Sequence, residues 1–408
     1  VRDRQDLQFA AVIAGCGILV GLVYQFQLWT FRPDGYSALS ERLAYWDFTN
    51  LWSGGRLAVE GRVDAIFDVE AYRLALRGWF GSGLPDQEWS YPPSILLIGV
   101  PLSFLPLPLA YGLWTAATLA CLYLVLRNLQ LPAIVTLALL FSPAAVMNSI
   151  FGQNGALTTA LLIGTLLLLP HRPVLAGILA GLLTIKPHLG LLLPFCFLAA
   201  GQYRAIVAAI LTTVMLVGLT GLFFGFDVWL GFFKETGPLM QKIMEAEYPQ
   251  PYHKNALTAF ILGRWLGFGI AGAYILQALV SLLAIIASVR IWRPEFVMDN
   301  RLRALLTGVL AILATPYAYS YDAIPFCLAV ACFFLADRRL PRWPIAVAYL
   351  WPLFLHVLNG QGIGIGILPL AIFAGVMIRL AILDDRSAKA GSSVNPALSK
   401  ASSARPFR

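Results

Sequence analysis

Residues 205–225 read AIVAAILTTVMLVGLTGLFFG, twenty-one positions without one charged side chain. About 20 apolar residues in a helix, rising about 1.5 Å each, cross the roughly 30 Å hydrocarbon layer of a bilayer. The surrounding sequence has the same texture: 59% of the 408 residues are hydrophobic and 12% are charged, with a mean hydropathy of +0.74. Soluble domains carry roughly 25% charged residues. A chain of this size with so few charges has no polar coat, so its remaining apolar surface must face lipid. The expected fold class is an all-α polytopic membrane protein.

The basic residues orient the chain, because cytoplasmic loops are enriched in Lys and Arg. Arg2 and Arg4 precede the first apolar run, residues 9–29, which is too long for a signal peptide and is read as the first span. Other basic positions are Arg127, Arg172, Arg204, and the clusters at 290–303, 338–342 and from Arg379 onward. With all of these inside, the intervening spans pair as hairpins. Outer turns then fall at 151–154, 186–188, 226–255, 317–322 and 358–362, and residues 30–91 form a long first outer loop. About twelve crossings result, with both ends inside. Residues 92–105 and 256–268 are short and broken by Pro or Gly, so they are expected as re-entrant or interfacial pieces. The runs 174–185 and 189–200 are also short, which puts the turn between them below the outer surface. The integral domain is expected over 1–383, and 384–408, rich in Ser, Ala and basic residues, as a disordered cytoplasmic tail. No internal repeat stands out.

The net charge of +8 does not indicate nucleic acid, since the basic residues sit in short clusters between spans. Cys16, Cys121, Cys196, Cys327 and Cys332 lie inside apolar runs without metal-ligand spacing and read as small buried hydrophobes. No phosphate-binding glycine loop, dinucleotide fingerprint or zinc motif is present.

The unusual polar residues gather on the outer side, where ionisable groups at membrane depth read as functional. The richest stretch, YWDFTNLWSGGR at 45–56, continues to a helix-like segment around 72–79. Within it Asp47 is either a general base or a structural carboxylate that caps a helix or pairs with Arg56. Trp89-Ser90-Tyr91-Pro92-Pro93 fixes an extended backbone, with Tyr91 its candidate substrate contact. Lys186-Pro187-His188 interrupts an apolar hairpin. Its cation suits a phosphate, or else snorkels as an anchor, and His188 is a second candidate or a packing histidine. Gln153 and Asn154 between two glycines offer amides to sugar hydroxyls, or form an ordinary helix–helix turn. His253 and Lys254 belong to a contact loop or a solvated one, and Asp322, beside Tyr321, orients a substrate or caps a helix.

Taken in order, Asp47-Phe48, Trp52, Arg56, Tyr91-Pro92-Pro93, Pro101-Leu102, Leu105-Pro106, Gly152-Gln153 and Lys186-Pro187 form a set spread over most of the chain, from about Tyr45 to about Asp322. It resembles the bacterial polyprenol-phosphate-mannose-dependent mannosyltransferases of the GT-C superfamily. The resemblance implies a GT-C-like bundle with a long first outer loop. It also implies a sugar donor on a polyprenyl phosphate, inversion at the anomeric centre, and an acidic residue in the first loop, here Asp47. Lys186, Arg56, His188 and Lys254 would then meet the donor phosphate. Tyr91, Gln153, Asn154, His253, Tyr321 and Asp322 would meet sugar or acceptor. No Asp-x-Asp pair occurs, and neither a cofactor nor a metal ion is expected. The expected partners are the donor, a lipid or glycan acceptor and membrane lipids. The expected location is the bacterial cytoplasmic membrane, with the site on the periplasmic side. A polytopic transporter or lipid/glycan flippase is the competing class. It predicts charges near the bilayer midplane and repeated halves, whereas the polar residues here favour one face.

Overall fold

The computed structural model describes residues 4–394; Arg2 and positions 395–408 of the expected tail lie outside the described residues. Among the described residues the secondary structure is helical, with nineteen α-helices, short 3-10 turns and two isolated β-bridges.

Among the described residues four helices are long and apolar enough to cross a membrane: Arg4–Leu28, Leu107–Arg127, Tyr203–Phe224 and Ile270–Trp292. A fifth span is formed if Ala133–Leu140 and Pro143–Phe151, bent by 44° at Pro143, count as one. A residue before proline is pushed out of the helical region, and Ser142 accordingly has φ −59° and ψ 156°. The other apolar helices, including Gly155–Leu168 and Ile324–Ala336, have 10–17 residues. About twelve crossings were expected; the four or five full-length ones are accompanied by these shorter pieces.

Length sorts with depth in the protein. The long helices are peripheral: Leu222 and Phe223 on Tyr203–Phe224 are 76% and 67% exposed, an outer surface suited to lipid. Gly155–Leu168, Asn300–Leu313 and Ile324–Ala336 are buried on nearly all sides and form the central core. A helix that is hydrophobic all round belongs in such a position. Gly177 and Gly181 let Pro173–Leu182 approach Tyr203–Phe224 closely. A Cβ on Gly177 would lie 2.2 Å from the Ala205 carbonyl oxygen, and one on Gly181 would lie 2.5 Å from Thr212. This is the small-xxx-small packing that membrane helices use in place of a hydrophobic drive.

The long first loop is itself folded. Trp46–Val59 and Val69–Phe80 enclose a second apolar core with Phe48, Leu57, Tyr72 and Trp89. Val69–Phe80 covers the helix expected around 72–79. Residues 92–105 form a 3-10 turn and the short helix Leu96–Ser103, and 256–268 contain only the seven-residue helix Ala259–Trp265. In the 174–200 hairpin, 3-10 turns at Leu183–Ile185 and Pro187–Gly190 flank Lys186.

The expected tail needs correction over its first part. Leu368–Val394 is one helix, so residues 384–394 are helical. Tertiary contacts hold its start: Arg339 binds Asp384, and Asp385 accepts from the Val297 amide at 2.9 Å while pairing with Lys389.

Candidate active site

Asp47 stands in the first turn of Trp46–Val59. That helix is held against Leu96–Ser103 by backbone contact, since a Cβ on Gly55 would lie 2.2 Å from the Gly99 carbonyl oxygen. Its start is fixed from the other side as well. Gln87 donates to the Trp46 carbonyl at 2.9 Å, and Asn50 donates to the Glu88 carbonyl at 2.8 Å while accepting from Tyr72 at 2.5 Å.

These contacts set Asp47 in the wall of a cavity of about 760 Å³. The wall draws on residues far apart in sequence: Arg42, Asn50, Tyr91, Gln153, Tyr252, Lys254, Tyr319, Tyr321 and His356. Tyr24 and Leu28, at the end of Arg4–Leu28, and Met240 and Ile243, from the amphipathic helix Gly237–Glu245, add apolar surface.

Both structural readings of Asp47 fail in the fold. The N-cap residue is Tyr45, with no side-chain cap bond, and Arg56 pairs with Glu60 at 2.9 Å. Among the described residues Asp47 has no ion-pair partner. Burial pushes its carboxyl up to about 6, against the opposing pull of a hydrogen bond from Gln153 and the charges of Arg42 and Lys186.

Gln153 follows Gly152, whose φ of +67° closes Pro143–Phe151 in the left-handed conformation that glycine adopts without penalty. Trp114 donates to the Gly152 carbonyl at 3.1 Å, and the Tyr91 hydroxyl donates to Gln153 Oε1 at 3.5 Å.

Lys254 is held by Asn359, whose amide donates to the carbonyls of His253 at 3.1 Å, Lys254 at 3.2 Å and Ala256 at 2.8 Å. An isolated bridge between Ala256 and Tyr319 joins this turn to the tyrosine turn at 317–322. Tyr319 and Tyr321 stack at 5.5 Å, and Tyr252 meets Tyr319 edge-on at 5.7 Å. Arg42 lies over the Trp46 ring at 4.8 Å. Among the described residues neither Arg42 nor Lys254 has an acidic partner. The charges of both act on His356, whose Nδ1 is 3.3 Å from Asn255 Oδ1. Two cations without an ion-pair partner among the described residues therefore share the cavity wall with Asp47, Asp86 and Glu88, the last two of which pair with arginines.

Of the residues singled out in the sequence, Asp47, Tyr91, Gln153, Lys254 and Tyr321 line the cavity. Lys186 and Asp322 do not; they form a buried pair at 2.5 Å, with the Lys186 ammonium 5.1 Å from the Tyr321 ring. Arg56 is turned to Glu60 and is not brought to the cavity. His188 packs beside Tyr317 at 6.0 Å, and the buried Asn154 side chain has no hydrogen-bond partner among the described residues; neither lines the cavity. His253 is buried and structural: its Nδ1 accepts from the Gln250 amide at 3.2 Å, and its ring stacks on Tyr248.

Arg42, Asn50, Tyr252 and His356 were missed. His356 carried a signal, as the one Asp, Glu, Lys, Arg or His in the apolar run 343–360. Arg42 carried none, because it lies in an aperiodic part of the loop. Among the described residues no group of three or more His, Cys, Asp or Glu is arranged to hold a metal ion.

A multi-pass helical membrane protein with a buried carboxylate in the wall of a large cavity has a group able to take a proton from a substrate bound there. The model of glycosyltransferase family 87 matches residues 89–316, more than half of the chain, and the chain belongs to that family. Asp47 and Arg42 precede the matched stretch; Tyr91, Gln153, Lys186 and Lys254 lie within it. No curated protein and no solved structure matches the chain. The chain is thus a glycosyltransferase with multiple membrane helices, and the family sets the transporter reading aside.

Proposed function

We propose that this glycosyltransferase moves a mannose-like hexose, with inversion, from a polyprenyl-phosphate donor to a hydroxyl of a lipid or glycan acceptor. The site would open on the outer, periplasmic face of a bacterial cytoplasmic membrane. The observation that carries the reading is Asp47, which among the described residues has no capping or ion-pair duty, in a cavity that also holds Arg42 and Lys254, neither of them ion-paired within those residues.

Asp47 takes the proton of the acceptor hydroxyl as that oxygen attacks the sugar C1. The bond between C1 and the phosphate oxygen breaks on the opposite face, and its electron pair leaves with the polyprenyl phosphate. Arg42 and Lys254 stabilise the charge that develops on the departing phosphate. Gln153 orients the Asp47 carboxylate. The Tyr91, Tyr252, Tyr319 and Tyr321 rings provide faces for the sugar, and Tyr24 and Leu28 begin an apolar path for the lipid.

The test is release of polyprenyl phosphate from a panel of polyprenyl-phosphate sugars by purified protein, supplied with a crude lipid extract as acceptor. Wild type is expected to release it from at least one donor, and Asp47→Asn to release it about 10³-fold more slowly. Release by the variant at the wild-type rate would remove Asp47 from the mechanism. No release by folded wild type would remove the donor class.

A further inference from the structure

The motif Lys186-Pro187 interrupts an apolar hairpin with a cation, and a phosphate ligand is the first role its chemistry suggests. The geometry assigns it another: we infer that Lys186 is a positioning residue which, as a neutral buried pair with Asp322, holds the Tyr321 ring in the sugar-facing wall of the cavity. This rests on the transferase reading of that cavity.

Lys186 and Asp322 are 8% and 2% exposed, and neither lines the cavity. The ammonium donates to Asp322 Oδ1 at 2.5 Å, while Oδ2 accepts from the Tyr319 amide at 3.1 Å. Both carboxylate oxygens are therefore engaged, one on the lysine and one on the backbone of the tyrosine turn. The pair is electrically neutral, so a substrate phosphate would have to compete with a carboxylate already in contact. Arg42 and Lys254 offer an anion no such competition.

The lysine's second contact is the face of the Tyr321 ring, at 5.1 Å, within range of a cation–π interaction. That ring also stacks with Tyr319 at 5.5 Å, and both rings line the cavity. The backbone beneath is fixed by Gly155, where a Cβ would lie 2.1 Å from the Tyr321 carbonyl oxygen. Backbone packing thus holds the turn, and Lys186 sets the ring.

The physics of buried pairs provides the discriminating experiment. Removing one partner strands a charge and is costly, whereas replacing both by neutral groups is often tolerated. Lys186→Met, Asp322→Asn, the double variant and Lys186→Arg are compared by thermal midpoint, and by donor KM and kcat in polyprenyl phosphate release. Each neutralising single change is expected to lower the midpoint, and the double variant to recover most of that loss. The double variant should keep kcat within about tenfold of wild type, while loss of a charge-stabilising donor in the transition state typically costs about 10²–10³. Donor KM should rise in Lys186→Met and in Tyr321→Leu without a further rise when the two are combined. Lys186→Arg should restore KM.

The inference is overturned if the double variant recovers its midpoint yet loses kcat by about 10² or more, the signature of a direct contact. It is also overturned if the midpoints show no recovery, or if the KM effects of Lys186→Met and Tyr321→Leu multiply. A folded wild type that releases nothing from any donor defeats the transferase reading instead. The midpoint cycle is measured without a donor and still decides the pairing.

Discussion

The reactive role proposed for Asp47 comes with a cost in stability, and both can be measured. A general base contributes about 10²–10⁴ in rate, so Asp47→Asn is expected to lower kcat by about 10³ in polyprenyl phosphate release. With its carboxyl raised to about 6, kcat/KM should climb with pH up to about 6 and level off above, where the base is ionised. The linkage to stability has the opposite sign. The folded state holds its proton more tightly than the unfolded chain, so this group's contribution is largest below the ordinary carboxylate value and is lost as pH rises through about 6. Asp47→Asn should therefore raise the thermal midpoint at pH 7.5 and change it little near pH 4. In the proposed mechanism the cations work through binding and charge development. Arg42→Gln and Lys254→Gln are each expected to raise donor KM and lower kcat, and together to lose donor turnover by more than either alone.

At the scale of elements, the site depends on one close approach. The helix bearing Asp47 touches Leu96–Ser103 backbone to backbone at Gly55 and Gly99, and a side chain at Gly55 has no space to occupy. Overpacking of this kind costs typically about 1–3 kcal/mol. Gly55→Val is expected to lower the thermal midpoint and, by moving Asp47, to reduce turnover further than the lost folded fraction explains. Circular dichroism melts alongside specific activity per folded protein separate the two effects. The turn carrying Lys254 is a second such element: three of its backbone carbonyls accept from the one Asn359 amide.

The whole molecule has two ends of different chemistry. Arg4–Leu28 begins at a basic residue and finishes at the cavity, and Arg342–Gly360 likewise runs from Arg342 towards His356. The proposed orientation puts the cavity end outside. In a background lacking the five native cysteines, Glu41→Cys should react with a membrane-impermeant maleimide in intact cells. Arg172→Cys, at the basic end, should react only after the membrane is opened. The reverse pattern would invert the orientation and with it the face from which donor and acceptor arrive.

Membrane character and helical class were legible in the sequence, because apolar run length and charge placement report directly on a solvent boundary about 30 Å thick. The reading also singled out Asp47, Tyr91, Gln153, Lys254 and Tyr321, since polar groups beside apolar runs are costly and therefore conspicuous. Partnership was beyond it. Whether Lys186 meets a phosphate or Asp322, whether Arg56 turns to Asp47 or Glu60, and whether residues 384–394 stay free or dock depend on which side chains lie within a few ångströms. Sequence distance does not report this: Lys186 and Asp322 are 136 positions apart, and Arg339 and Asp384 are 45. Nor does local pattern distinguish a short buried helix from a spanning one when Pro and Gly interrupt both. The sequence by itself determined the solvent in which the chain folds and the groups able to do chemistry there. Only the tertiary structure decided which charges cancel in pairs and which stay open to a substrate.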